Sequence, residues 1–390
     1  ALERLLADTR QDLQTELYAP AVHLRARIRA GEILGRLGDP RLAPQTLNGV
    51  TVILPDMLAY PAGRYRLGNQ NDPDAYPGEK PARDLDLPAF QLARRPVTNA
   101  EFACFIAAGG YEDETWWTTD LARRWLHRED VSDYQLDIML GIRQALQDNS
   151  IWRQALSDDN SPDQIKALED VIGMTREELA AWLLKDILSK YRTGPVYWQR
   201  TGWNEPNQPV TGLTWFEASA YCAWLSTVTG QPYRLPPEPY WEAAARGPLP
   251  QGSPAVSTGE ARESFFRGGA GGEVYPWGEV YPWGPDPARA NTLEGRLMRP
   301  SPIGAYVAAG GVGPNGAEDQ TGVVWEWTAS LYLPYPYDPV AAEQPEAAGE
   351  RTIRCGVWLD DRRSAFWASR QRFVPDISGN DFHFRLFSPG

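Results

Sequence analysis

The residue types that most often carry metal or covalent chemistry are sparse in this chain. Its three His stand at 23, 127 and 383 and its three Cys at 104, 222 and 355, with no CxxC or HxxxH spacing among them. Zinc and non-haem iron sites need such ligands grouped, so no metal site and no cofactor is expected. No GxxxxGK[ST] is present and no Ser sits in a GxSxG elbow. GGAGG at 268–272 lacks the flanking strand and helix of a phosphate cradle. Asp360 and Asp361 are adjacent carboxylates that could share acid–base work, yet such pairs in a loop are ordinarily solvated or matched with Arg. The stretch that does carry a chemical signature runs from Cys355 to Arg385, CGVWLDDRRSAFWASRQRFVPDISGNDFHFR. There Phe366, Trp367 and Phe373 stand among Asp360, Asp361 and Arg372 with neither helical nor strand period. Aromatic and Arg side chains supply large contact area at low entropic cost and dominate binding hot spots. The chemistry suggested is recognition.

Such a stretch needs a folded scaffold, and 390 residues with 42% hydrophobic composition are enough to bury a sizeable core. Gly 35 and Pro 34 indicate many turns and a loop-rich fold rather than a bundle. The net charge of −13 argues against a nucleic-acid partner, which would need clustered positive charge. No apolar run reaches membrane-spanning length and no signal peptide opens the sequence, so no membrane insertion is expected. Sparse cysteines in odd number fit a reducing, cytoplasmic compartment.

The elements that would hold the stretch follow from periodicity. Residues 1–40 form an N-terminal helical segment, with apolar residues three and four apart over LERLLADTRQDLQTEL and HLRARIRAGEILGRLG, stopped by Gly38 and Pro40. From Val50 the texture turns to short strands, TVILPDMLAYPAGRYRLG and QLARRPVT. A helix over NAEFACFIAAGG begins at Thr98, with Glu101 completing a capping box. Residues 118–190 read as a helical insert with a structural or partner-binding role, its last helix carrying the capping box Thr175 to Glu178. Further helices are expected near Trp215–Thr227 and Pro237–Ala245. GEVYPWG followed by EVYPWG is a local duplication, too short for a solenoid. GVVWEWTAS and RTIRCGVW read as late strands.

Several segments share the order of one family: MLAYPAGRYRLG, RRPVTNAEFACFIAAGGY, WNEPNQPVTGLTWFEASAYCAWLS, YRLPPEPYWEAAARG, YPWG, GVVWEWTAS and the final RCGVW to FHFRLF. Together they resemble the formylglycine-generating-enzyme, or sulfatase-modifying-factor, domain over residues 50–390. The resemblance implies an α+β, loop-rich C-type lectin-like fold interrupted by the helical insert. Its catalytic members imply a copper oxidase with a cysteine pair in the last segment. Here no Cys follows Cys355, which itself takes a framework glycine's place. The ergothioneine-type branch implies a histidine-rich iron-binding bundle, and the N-terminal helices hold only His23. For calcium, Val323 stands where the family has a metal-ligating Asn, and Asn291 resembles another ligand position.

A third branch is the variable proteins of diversity-generating retroelements, which display a hypervariable C-terminal segment, here 355–385. The resemblance implies a fixed framework of Gly356, Trp358, Arg370, Pro375, Phe384 and Arg385. The variable ligand-binding face would comprise Val357, Leu359, Asp360, Asp361, Ser364, Phe366, Trp367, Gln371, Phe373, Val374, Ile377, Ser378, Asn380, Asp381 and His383. All but Trp367 and Gln371 are residue types that adenine-directed change of Asn codons can reach. The expectation is therefore a non-enzymatic binding chain whose partner is a macromolecule of the protein class. The alternatives are a copper-dependent oxidase and a sensor or scaffold module of a larger bacterial signalling protein.

Overall fold

The computed structural model describes residues 2–69, 76–127, 193–250, 289–356, 367–379 and 381–390, with residues 129, 136–137, 140, 144, 173–183, 185, 273–274 and 280–281 in the intervals. The chain divides into two units, one of residues 1–118 with 195–390 and one of 119–194.

In the first unit, α1 (Leu2–Leu17) and α2 (Leu24–Leu37) are the two N-terminal helices. Leu17, Ile28 and Leu34 from their facing sides pack against Ala305 and Tyr306. His23 caps α2, its Nδ1 accepting from the Arg25 amide at 3.2 Å, a conventional way to satisfy a free helix-end donor. Short strands follow: β1 (Pro44–Leu47), β2 (Val50–Ile53), β3 (Met57–Tyr60), β4 (Gly63–Leu67), β5 (Arg83–Leu87) and β6 (Phe90–Ala93). Then come α3 (Asn99–Ala107) and, in the second unit, α4 (Asp120–His127) and α5 (Arg176–Trp182). In that unit Leu136, Leu179 and Leu183 make a small apolar core of their own.

Back in the first unit, α6 (Trp215–Thr229) and α7 (Glu238–Arg246) precede β7 (Glu273–Val274) and β8 (Val280–Tyr281). The two copies of the duplicated segment pair with each other here as antiparallel strands, Val274 opposite Val280. The last elements are β9 (Trp325–Leu331), α8 (Pro339–Ala342), β10 (Arg351–Arg354), β11 (Arg370–Phe373), β12 (Phe382–His383) and β13 (Phe387–Pro389). Strands β11, β10, β9 and β12 lie side by side in one sheet, and β13, β6 and β3 in another.

Many short strands with long connections make a loop-rich α+β fold. What holds the two sheets in place is α7. Ala243 and Ala244 on its one side enter the aromatic cluster of Tyr60, Tyr65, Phe90 and Phe387, and Trp241 and Ala245 pack on Cys355 at the end of β10. Small residues on α7 let the helix approach both sheets closely.

Candidate functional site

The C-terminal stretch is built on three arginines that are wholly buried. Arg354 ends β10, Arg370 begins β11 directly opposite it, and Arg385 follows β12. Burying a guanidinium is costly unless every charge is matched, and here each is. Arg385 grips Glu326 of β9 in a forked pair, Nε to Oε2 at 2.6 Å and Nη2 to Oε1 at 2.6 Å, and donates to the Glu318 carbonyl at 3.1 Å. Arg370 grips Glu238 of α7 in the same way, at 2.8 and 2.7 Å. Arg354 pairs with Glu242, one helical turn further along α7. Burial alone would lower the pKa of Arg354, but the carboxylates of Glu242 and Glu238 more than offset it and hold the guanidinium charged.

Between these anchors the side chains point elsewhere. Gln371 and Arg372 are exposed, and Phe373, Val374, Ile377, Ser378 and Asp381 are half-buried. Phe373 leans on Phe382 with ring centroids 4.9 Å apart. Trp367 is half-buried, its ring lying against the guanidinium of Arg246. That arginine is enclosed, and burial pushes its pKa down to about 9 despite the nearby Glu242. Arg372 reaches Glu350 at 3.2 Å and stands over the Tyr332 ring. Of the expected face, then, Trp367, Gln371, Phe373, Val374, Ile377, Ser378 and Asp381 are at least partly accessible. Val357, Leu359, Asp360, Asp361, Ser364, Phe366 and Asn380 lie outside the described residues.

His383 is different. It is completely buried beside Val324, to whose carbonyl its Nε2 bonds at 2.9 Å, and Glu326 lies 3.7 Å away. Burial lowers its pKa to about 4. A neutral ring sealed behind β9 has no surface to offer a ligand, so its place is with the framework. The resemblance placed it on the variable face, but β12 is covered on both faces, and Phe382 and His383 are both buried instead of alternating. Among the expected framework, Arg370, Phe384 and Arg385 are buried, Gly356 has φ 77°, and the Pro375 carbonyl accepts from the Trp215 amide at the start of α6. Trp358 lies outside the described residues.

The three cysteines sit in separate surroundings. Cys355 is buried against Trp241 and Ala245, and that burial raises its thiol pKa to about 12. Cys222 is buried within α6, and Cys104 packs beside Ile53 and Ile303. A copper thiolate pair does not fit this arrangement, because thiolate is the ligand form and no two thiols share an environment. Iron does not fit the N-terminal helices, whose His23 is spent on the α2 cap. Calcium does not fit at Val323, which is buried and apolar. Among the described residues no group of three or more His, Cys, Asp or Glu could hold a metal ion.

A small cleft lies elsewhere, walled by Arg41, Asp56, Arg95, Thr98 and Glu101. None of the described residues of the expected face borders it. Glu101 there is held by its own capping box, and burial raises its pKa to about 7.

With this geometry in view, comparison with known proteins is decisive for the family. The sulfatase-modifying factor enzyme 1-like domain matches residues 45–388. The chain belongs to that family. A hercynine oxygenase of Mycobacterium tuberculosis is 31% identical over 293 residues, covering 74% of this chain and 50% of that protein. The chain spans about half the length of the hercynine oxygenases it matches. Among solved structures, PvdO from Pseudomonas aeruginosa is similar with a TM-score of 0.50 at 19% identity, over 86% of this chain and 95% of that one. Treponema denticola variable protein 1 is similar with a TM-score of 0.47 at 13% identity, over 89% and 99%.

These relatives correct one expectation. The missing cysteine pair suggested a chain that is no enzyme, but a relative 31% identical to it is an oxygenase by name. The lost cysteines remove one chemistry, not catalysis as such. The fold expectation agrees with the α+β arrangement and with PvdO. Among the described residues, no helix is long and apolar enough to cross a membrane.

Proposed function

We propose that this member of the sulfatase-modifying-factor family is a ligand-binding protein whose C-terminal stretch, 355–385, forms a diversified recognition face for a protein ligand. One observation carries the reading: the stretch separates into buried anchors and outward side chains. Arg354, Arg370, Phe384 and Arg385 are locked inside the fold, while Gln371 and Arg372 are exposed and Phe373, Val374, Ile377 and Ser378 are half-buried. A face of this kind supplies aromatic, amide, hydroxyl and charged contacts, the mixture on which selected protein-binding surfaces rely. Fixed anchors also lower the ordering cost of binding.

The test is genetic. The gene should lie beside a reverse transcriptase and a near-copy of its own 3′ end that differs mainly at adenines. Its relatives in independent isolates should vary at codons such as 373, 374 and 378 and keep those for Arg354, Arg370 and Arg385. Variation spread evenly over framework and face would sink the diversification reading.

A second reading rests on the 31% identity to a hercynine oxygenase. Under it, this chain supplies part of an oxygenase active site. Oxygen consumption that depends on hercynine would establish it, and none above background at saturating hercynine would end it.

A further inference from the structure

Resting on the display reading above, we infer that Glu238 and Glu242 of α7 are positioning residues: a two-pronged clamp that fixes both stems of the 355–369 segment without reading the side chains between them. The two acids are four residues apart, on one face of the helix. The two arginines they receive, Arg354 and Arg370, are direct cross-strand partners on β10 and β11. One rung of the sheet is thus bolted to one turn of the helix, immediately before and after the segment.

Among the described residues, each bond of the clamp goes to a residue outside the segment or to a backbone atom. Glu238 receives Arg370 at 2.8 and 2.7 Å and lies 3.7 Å from Arg354. Glu242 receives Arg354 with one oxygen and the Gly68 amide with the other, at 2.7 Å. Arg354 also donates to the carbonyls of Ala368 and Ser369, both at 2.9 Å. Any residue at those positions presents the same carbonyl. Arg370 donates to the carbonyls of Gly78 and Leu333, each at 3.0 Å, and its guanidinium is sandwiched between the rings of Tyr332 and Tyr335, 4.4 and 4.3 Å from their centroids. Of the segment's own described side chains, Trp367 is the one that reaches the clamp's edge, through Arg246.

A scaffold meant to carry changing residues faces a specific difficulty: each new segment sequence alters local packing and threatens the register of the strands on either side. Buried ion pairs are a known device for fixing register, since a slipped strand would leave an unpaired charge inside the protein. Here the clamp separates the fold's register from the segment's sequence.

The experiment replaces residues 357–366 with about six unrelated ten-residue sequences, including a Gly/Ser one, in the full chain. Melting temperatures are compared in two backgrounds, the parent and the double variant Glu238→Gln/Glu242→Gln. With the clamp intact, the replacements should melt within about 1.5 °C of one another, the shift that roughly 1 kcal/mol causes in a unit of this size. In the clamp variant the spread should widen at least threefold, a coupling that a general loss of stability would not produce. An equally narrow spread in both backgrounds overturns the clamp and leaves the display reading standing. A wide spread with the clamp intact overturns the display reading, and the clamp falls with it. If the double variant does not fold, Glu238→Asp keeps the charge but shortens its reach, and the same comparison is made with it.

Discussion

Three buried titratable side chains oppose one another as pH changes. His383 is neutral in the fold, with burial lowering its pKa to about 4 from an ordinary 6.5. Below pH 6.5 the unfolded chain takes up a proton there that the folded chain refuses, so this group's contribution to stability falls as pH drops from 6.5 to 4. The full loss is on the order of 3 kcal/mol. Arg385 and Glu326 face the same ring, and the Glu326 charge moderates the effect. Glu101 and Asp319 act in the opposite direction. Burial raises each to about 7, so the folded state holds their protons and their contribution is lost as pH rises from the ordinary carboxylate range through 7. The variants separate the two trends. His383→Asn should flatten the acid side of a plot of unfolding free energy against pH, and Glu101→Gln should flatten the neutral side while keeping the helix cap, since Gln also completes a capping box. Unfolding in urea at half-unit steps from pH 4 to pH 8 measures both. A His383→Asn curve parallel to the parent's would show that the ring's protonation plays no part.

At the scale of elements, what was legible in the sequence was what short-range physics determines. The Thr98 and Thr175 boxes are formed as their spacing predicts, each Thr side chain accepting from the amide three residues on. The same pattern stands at Thr214 and Glu217, where it starts α6. Glu217 is also bonded by the Tyr111 hydroxyl, which ties α6 to the turn after α3. Thr214→Ala should therefore cost about 1 kcal/mol, the usual worth of an N-cap, with somewhat more if Glu217 loses its alignment toward Tyr111. Chemical denaturation of the single variant tests this, and no change would mean that packing of Trp215 and Phe216 alone sets where α6 begins. Not legible were the charge partners. Glu238, Glu242 and Glu326 read as ordinary acids on amphipathic elements, and only the tertiary fold brings them to arginines more than fifty residues away along the chain.

For the molecule as a whole, the division between anchors and face makes a contrast that stability measurements can read. Surface substitutions that leave no cavity and no orphaned polar group ordinarily change stability by less than about 0.5 kcal/mol. Gln371→Ala, Val374→Ala and Ser378→Ala should fall near that limit, because their side chains are exposed or half-buried and none takes part in the ion pairs that lock the fold. Removing an anchor is a different event. Arg385→Ala leaves the Glu326 carboxylate buried without its guanidinium, and Arg370→Ala takes from Glu238 its forked partner, leaving Arg354 at 3.7 Å. Breaking a buried pair by deleting one partner costs about 3–5 kcal/mol. The wide gap between the two sets follows from burial alone, since Gln371 and Arg370 are sequence neighbours on the same strand. Urea unfolding of all five variants at pH 7 would measure it. Comparable losses in both sets would mean that the stretch is an ordinary part of the core, with no face free to change. The predicted gap would leave a segment able to change its side chains while the fold that carries it stays intact.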